Sequence, residues 1–425
     1  MTQRQGWVRG ACGSKTLGGN FHVETEKGSE AVKASQLWPI VLIVFIDVLG
    51  FTVVIPLLPL YAERYGARPA TVGALLAIYA VGSLIAAPLL GRWSDRIGRK
   101  PVLLLSQAGS CASFVMLALA PSLAWLFAAR LLDGLTAGNV ATARAYLADT
   151  TPREQRARAF GLIAAAFGFG YLIGPATAGL LARYGAAVPL WAAAGLSAAS
   201  GLCTLWLLPS AAPTPLRADA ASTVAPRLSG DTRELRLRLM QLFGFLLAFS
   251  CFTGGFALYC ERRLRWGGAA YGAQEVGLVL AYVGLLGLAT QLVFLRHWVA
   301  RAGESGLVRQ AFVIAAAGYA GLSLVHELPW LLVCLAASAV ANSALRPSLL
   351  ALISFEVAPQ RQGAINGLTQ ALQSLAMMVG PLLAGALIDA GWLSGWALAC
   401  AALLFAALAL ERRVAQQRRA SVRSS

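Results

Sequence analysis

The sequence predicts an all-α membrane protein with twelve transmembrane helices in two pseudo-symmetric six-helix bundles. Three observations point there. Of 425 residues, 58% are hydrophobic and only 13% are charged, against about 25% charged in soluble domains. Apolar runs close to the ~20 residues that cross a bilayer recur along the whole chain. A glycine–proline pattern in the first half also returns 206 residues later. Such a composition excludes an ordinary soluble enzyme, a secreted disulfide scaffold and a disordered chain. The net charge of +16 does not signal nucleic acid, because basic residues on so apolar a chain belong in membrane-flanking loops.

Residues 1–37 are polar and aperiodic and lack the apolar core of a signal peptide, so they read as a cytoplasmic tail. Spans are expected at 38–61, 70–91, 101–121, 123–147, 160–183 and 187–208, the N-terminal bundle (38–208). Six more follow at 239–260, 274–296, 307–325, 328–350, 363–388 and 392–411, the C-terminal bundle (239–411). Between them lies a linker, 209–238, rich in Pro, Ala, Ser and Arg, and 412–425 is a second tail. Twelve crossings put both termini on one side. That side holds 26 of the 35 Lys and Arg; the opposite loops hold six, and Arg130, Arg144 and Arg346 fall inside spans. The positive-inside bias therefore places both termini and the linker in the cytoplasm, in a plasma (inner) membrane. Seven cysteines show no CxxC and no ligand spacing, and six lie in or beside apolar runs, as small buried residues do.

The repeat is sharp. GLIAAAFGFGYLIGPATAGLL begins at Gly161 and GLTQALQSLAMMVGPLLAGAL at Gly367. Gly174–Pro175 matches Gly380–Pro381, and Gly179 matches Gly385. Gly170, Gly174, Pro175, Gly179, Gly380 and Pro381 should allow close helix packing and bends. A weaker echo sets RIGRKPVLLL, with Gly98, against ARAGESGLVR, with Gly303. Duplicated halves of this kind place a substrate site between them near the midplane.

Charge inside the spans is sparse. Asp47 lies alone in the first span, about nine residues or ~14 Å from Trp38. In the fourth, Arg130, Asp133, Ala137 and Arg144 fall on one helical stripe. Charges at such depth are costly and usually face a bundle interior or a wet cavity. Arg130 and Asp133 can also close on each other as a purely structural pair, and Asp47 can bridge permanently to an arginine. Asn139, Gln291, Asn342 and Arg346 are further polar candidates for the cavity. Between spans two and three, GRWSDRIGRKPVLLLS packs four cations around Asp95 in a short turn. Gly91 and Gly98 permit that turn, and Asp95 can pair with Arg99 or face a helix N-terminus.

On these residues the chain resembles the major facilitator superfamily, whose loop-two signature G-x-x-x-D-R-x-G-R-[KR] is met at Gly91, Asp95, Arg96, Gly98, Arg99 and Lys100. The resemblance implies that this loop is a conformational latch, with Asp95 engaging the cytoplasmic end of span eleven in the outward-open state. It also implies a charge relay at Asp149 and Arg156, echoed by Glu356 and Arg361, and a proton-coupling role for Arg130 in span four. Span five resembles the superfamily's antiporter motif. With D-x-x-G-x-x-x-x-x-P-x-x-P from Asp47 and AYLADTTPREQRARAFG, residues 38–411 look like the tetracycline-resistance branch of drug/proton antiporters. That branch carries aspartates in spans three and nine where this chain has Ser113 and Ala315. Its span-eight histidine becomes Gly287, followed by Gln291.

The expected function is secondary active transport by alternating access: proton-coupled efflux of a small amphipathic drug-like compound. Proton-coupled import, or carriage of an organic anion or metabolite, is the alternative, since Arg130, Arg144 and Arg346 can serve an anionic substrate. A non-transporting receptor or scramblase is a minor third reading. The expected partners are a small molecule, protons and lipid, with no nucleic acid, and the chain should work as a monomer. No P-loop, HExxH or GxSxG is present, and His22, His297 and His326 are scattered. Neither enzymatic activity nor a cofactor or metal is therefore expected, and the proton gradient is the energy source.

Overall fold

The computed structural model describes residues 34–151, 153–209, 233–358 and 361–424. The residues 1–33 of the first tail and 210–232 of the linker lie outside it. The remainder is almost wholly helical, as it must be: in hydrocarbon a backbone can satisfy its polar groups only within itself. The first half runs α1 (Ala34–Val54), α2 (Leu57–Glu63), α3 (Pro69–Ile97), α4 (Arg99–Ala118), α5 (Leu123–Leu135), α6 (Asn139–Thr150), α7 (Arg153–Ala182) and α8 (Val188–Leu207). The second runs α9 (Arg233–Arg263), α10 (Ala273–Ala289), α11 (Leu295–Leu322), α12 (Leu328–Phe355), α13 (Gln362–Asp389) and α14 (Leu393–Ser424). A π-helical turn, Thr290–Phe294, joins α10 to α11. A two-stranded ribbon, Arg265–Trp266 with Ala269–Ala270, sits between α9 and α10. Its turn, Gly267–Gly268, has positive φ at both residues, as a tight hairpin requires.

Among the described residues, ten helices are long and apolar enough to cross a membrane. The difference from twelve has two physical causes. The expected fourth span is broken at Thr136–Gly138 into α5 and α6, of 13 and 12 residues, each too short to span alone. The eighth and ninth run together as one stretch of 50 residues, although Gly303 (φ 66°, ψ 166°) interrupts it. Counting the broken pair as one crossing and the bent stretch as two would give the expected order. Gly98 (φ 96°, ψ 162°) makes the equivalent break between α3 and α4, so the weak sequence echo between these glycines is an echo of backbone conformation. Only glycine adopts such angles without strain.

Three expected boundaries are corrected. Residues 233–238, read as linker, are the first turns of α9, because Arg238 is buried against Glu411 and Gln241. The second tail continues α14 as helix rather than ending at 411. The loop expected between the eighth and ninth spans, at 297–306, is mostly helix, bent only at Gly303.

The halves are built alike. Gly174 of α7 lies so close to Thr52 of α1 that any side chain there would collide with it, and Thr52 donates to the Gly170 carbonyl at 2.9 Å. At the matching position Gly380 of α13 abuts Ser250 and Cys251 of α9, where an added Cβ would stand 2.7 Å away. Small residues at such crossings let backbones approach, which is what drives helix association in lipid. The halves then meet each other through the same two helices. Gly179 of α7 packs on Gln274 and Gly277 of α10, and Gly385 of α13 packs on Pro69 and Ala70 of α3.

Candidate functional site

Among the described residues, the seam between the halves is shut at one end only. We call the end carrying residues 91–101 the basic end. At the opposite end, Gly73 of α3 lies against Pro381 and Leu382, Gly385 against Pro69 and Ala70, and Gly277 against Pro175 and Gly179. There too Arg262 of α9 donates to Glu63 of α2 at 2.5 Å, with Glu261 beside it. These residues escaped the sequence reading, which counted Arg262 only as a loop cation; the signal was an acid and a base at the matching ends of spans one and seven. Toward the basic end the glycines Gly91, Gly161, Gly363 and Gly367 have no atom of another element within 4 Å of an added Cβ. Along α13, Ala364, Asn366 and Gln370 are exposed. The two halves therefore enclose a cleft that opens at the basic end.

Gly385 gives a direct test of this closure. An added Cβ would meet the backbone of Pro69 and Ala70, the latter at 3.1 Å from its Cα, and backbone cannot rotate away. Overpacking costs about 1–3 kcal/mol, and each 1.4 kcal/mol is a tenfold shift. Gly385→Leu is expected to part α3 from α13 at the opposite end, raising thiol-reagent labelling of a cysteine placed at Ala70, half-buried against Gly385, about tenfold or more. Gly195→Leu, at an exposed glycine with open space around it, should leave labelling unchanged.

The basic-end cluster lies within the first half. Arg99 donates to Asp95 at 2.6 Å, to Ser94 at 2.9 Å and to Asp149 at 2.9 Å, so one guanidinium ties the end of α3 to α6. Lys100 caps α8 through the Leu205 and Leu208 carbonyls, at 2.9 and 2.6 Å. Arg96 is exposed. Asp95 is directed to Arg99 rather than to α13, so the expected engagement with span eleven is not made with the seam open here. The Arg156 side chain lies outside the described residues. A buried ion pair, Arg238–Glu411, joins α9 to α14, supported by Gln241 at 2.8 Å.

At membrane depth the stripe drawn through span four is corrected. The break at Thr136–Gly138 puts Arg144 on a different helix from Arg130 and Asp133. The latter two are buried and pair at 2.6 Å; Ser110 donates to Asp133 at 3.1 Å, and the Arg130 guanidinium covers the Tyr79 ring at 4.5 Å. Asp47 is not bridged to an arginine. Its carboxylate is buried between α1, α4 and α8, beside Gln107 and Ser200. Gln107 gives its amide hydrogens to Ser200 and Thr204, at 2.8 and 2.9 Å, and neither Asp47 oxygen has a hydrogen bond of ordinary geometry.

The remaining candidates divide. Arg144 and Arg346 are both exposed although deep in the helical mass, and the charge of Arg346 bears on Arg144. Arg346 donates to Gln373 at 2.7 Å and lies near Tyr171; neither partner was picked out from the sequence, where both sit unmarked in apolar helices. Gln291 is exposed in the π turn, facing Gly168 of α7. Asn342 instead serves the second half internally, donating to Tyr319 at 2.8 Å. Asn139 is half-buried at the start of α6, with its carbonyl oxygen unbonded.

Comparison with known proteins agrees with this architecture. The family model "Major Facilitator Superfamily" matches residues 40–326 and 268–424. The chain is 32% identical to the class C tetracycline resistance protein of Escherichia coli, over 82% of this chain and 88% of that protein. It is 29% identical to the class E protein of Escherichia coli, over 87% and 92%. Among solved structures, the human organic anion transporter MFSD10 (TETRAN) superposes with a TM-score of 0.67 at 23% identity, covering 89% of this chain and 99% of that one; at that identity the likeness is one of fold.

Proposed function

The chain belongs to the major facilitator superfamily, and we propose that this transporter exports a small amphipathic organic compound in exchange for protons. It is a multi-pass membrane protein and not an enzyme. The observation that carries the proposal is the one-ended seam: contacts between α3 and α13 and between α7 and α10 close the cleft on one side, and charges at mid-depth lie between. A molecule so built can expose its interior to one side at a time, which is what alternating access requires. The charge bias of the loops supports a cytoplasmic basic end in a plasma membrane, which makes the present state inward-open. The relatives named for tetracycline resistance support export. Ser113, Ala315 and Gly287 replace the charged residues expected of that branch, so the compound need not be tetracycline.

Asp47 is the proposed proton carrier. An unpaired carboxylate at that depth is costly, and binding a proton removes the cost. Arg130 and Asp133 form a closed pair that is the second candidate. No cofactor is required, because the proton gradient supplies the energy, and a monomer holds the whole cleft. The test is tolerance in a host stripped of its own pumps. Expression should raise resistance to at least one class in a panel of amphipathic compounds, and the gain should vanish with an uncoupler. Unchanged tolerance throughout, with growth on a new carbon source instead, would favour import.

A further inference from the structure

We infer that the compound carried by this chain bears an anionic group, a carboxylate or a sulfonate, held between Arg144 of α6 and Arg346 of α12. That the compound is carried rests on the transport reading above; the binding site does not. The other arginines set into the helical mass are neutralised. Arg130 has Asp133, Arg238 has Glu411, Arg99 has Asp95 and Asp149, and Arg262 has Glu63. Among the described residues, no carboxylate pairs with Arg144 or Arg346. They belong to different halves, yet each lies deep and open to solvent, and the charge that bears on Arg144 is that of Arg346. The charge of Arg346 therefore reaches Arg144 across the seam between the halves.

Two guanidinium groups within reach of each other's charge and without a counter-charge repel, and removal from bulk water makes this worse. An anion between them relieves both costs. A carboxylate has two oxygens and about four acceptor positions, enough to meet a planar guanidinium fork from each side. The neighbours do not compete for that role: Gln373 and Tyr171 are neutral, and Gln373 already accepts from Arg346 at 2.7 Å. The Tyr171 ring and the apolar helix faces suit the rest of an amphipathic molecule. Because the two arginines sit on opposite halves, an anion bound between them also ties the halves together, so that its binding is felt by the closing of the cleft.

The experiment uses the full chain, purified in a neutral detergent, and thermal unfolding with matched probes. These are 1-naphthoate and 1-naphthalenesulfonate, the neutral 1-naphthamide, and the cationic 1-naphthylmethylamine. The expected result is that the two acids raise the melting temperature and the neutral and cationic probes do not. Arg144→Gln and Arg346→Gln should each weaken the apparent affinity for the acids at least about tenfold, the loss of a charge-assisted hydrogen bond. Arg144→Lys and Arg346→Lys, which keep the charge but lose the fork, should fall between, and they carry the test where a glutamine variant does not fold. Equal protection by the amide, protection that survives the substitutions, or no protection by either acid would overturn the site. Protection by phosphatidylglycerol alone, lost in the same variants, would make it a lipid site and overturn the substrate class. An acid that binds through both arginines but to which the chain gives no tolerance would leave the site standing and sink the export reading.

Discussion

Asp95→Asn is expected to leave the protein inserted and abundant while reducing transport more than tenfold. In the present state Asp95 is held by Arg99, which also binds Ser94 and Asp149, at the end of α3. The seam beyond it is open, and the first turns of α13 are exposed. For the cleft to close there, α3 and α13 must approach at their basic ends, as they now do at Gly73 and Gly385. Asp95 then comes toward the N-terminus of α13, where free backbone N–H groups favour a negative charge by about 0.3–1 kcal/mol, more where partly buried. A charge-assisted hydrogen bond from those N–H groups to Asp95, made only in that closed state, adds about 1.5–3 kcal/mol. Together these exceed the 1.4 kcal/mol that shifts a two-state ratio tenfold. Substrate uptake, normalised to protein in the membrane, checks this. Near-normal uptake by the asparagine variant would reduce the loop to a topology signal.

Asp47→Asn is expected to abolish accumulation against a gradient while sparing exchange of substrate for substrate. The carboxylate is buried beside Gln107 and Ser200, among α1, α4 and α8, and among the described residues it has no ion-pair partner and no hydrogen bond of ordinary geometry to either oxygen. Asparagine keeps the size and removes the group that takes up and releases a proton. Packing should therefore survive and coupling should not. Uphill transport that persists in Asp47→Asn with its usual pH dependence would pass the role to Asp133, which is neutralised by Arg130 at 2.6 Å and would have to break that pair to titrate.

The helices and their duplication were written plainly in hydropathy and in the spacing of Gly174–Pro175 and Gly380–Pro381, because lipid leaves a backbone few alternatives. The loop-two turn was equally plain, since only Gly98 tolerates its angles. The break between Asp133 and Arg144 was not. Gly138, packed against Ser106 and Leu90, is set by tertiary contact, and periodicity runs straight through it. Nor did periodicity say that Asp47 faces Gln107 and Ser200 rather than an arginine, because a helix's rotation about its axis is fixed by its neighbours. Arg238 reads as a linker cation in the sequence because its partner, Glu411, lies 173 positions away. Which end of the cleft is shut is a property of the state and not of the sequence, whose halves repeat the same closing glycines.

The most direct measurement is substrate movement in inverted membrane vesicles with an imposed proton gradient, using a compound to which the chain confers tolerance. Uptake into acidified vesicles should be accompanied by alkalinisation of their interior. It should stop when the gradient is collapsed and be absent from vesicles carrying Asp47→Asn. Uptake that proceeds equally without a proton gradient, with no movement of protons, would contradict proton-coupled export.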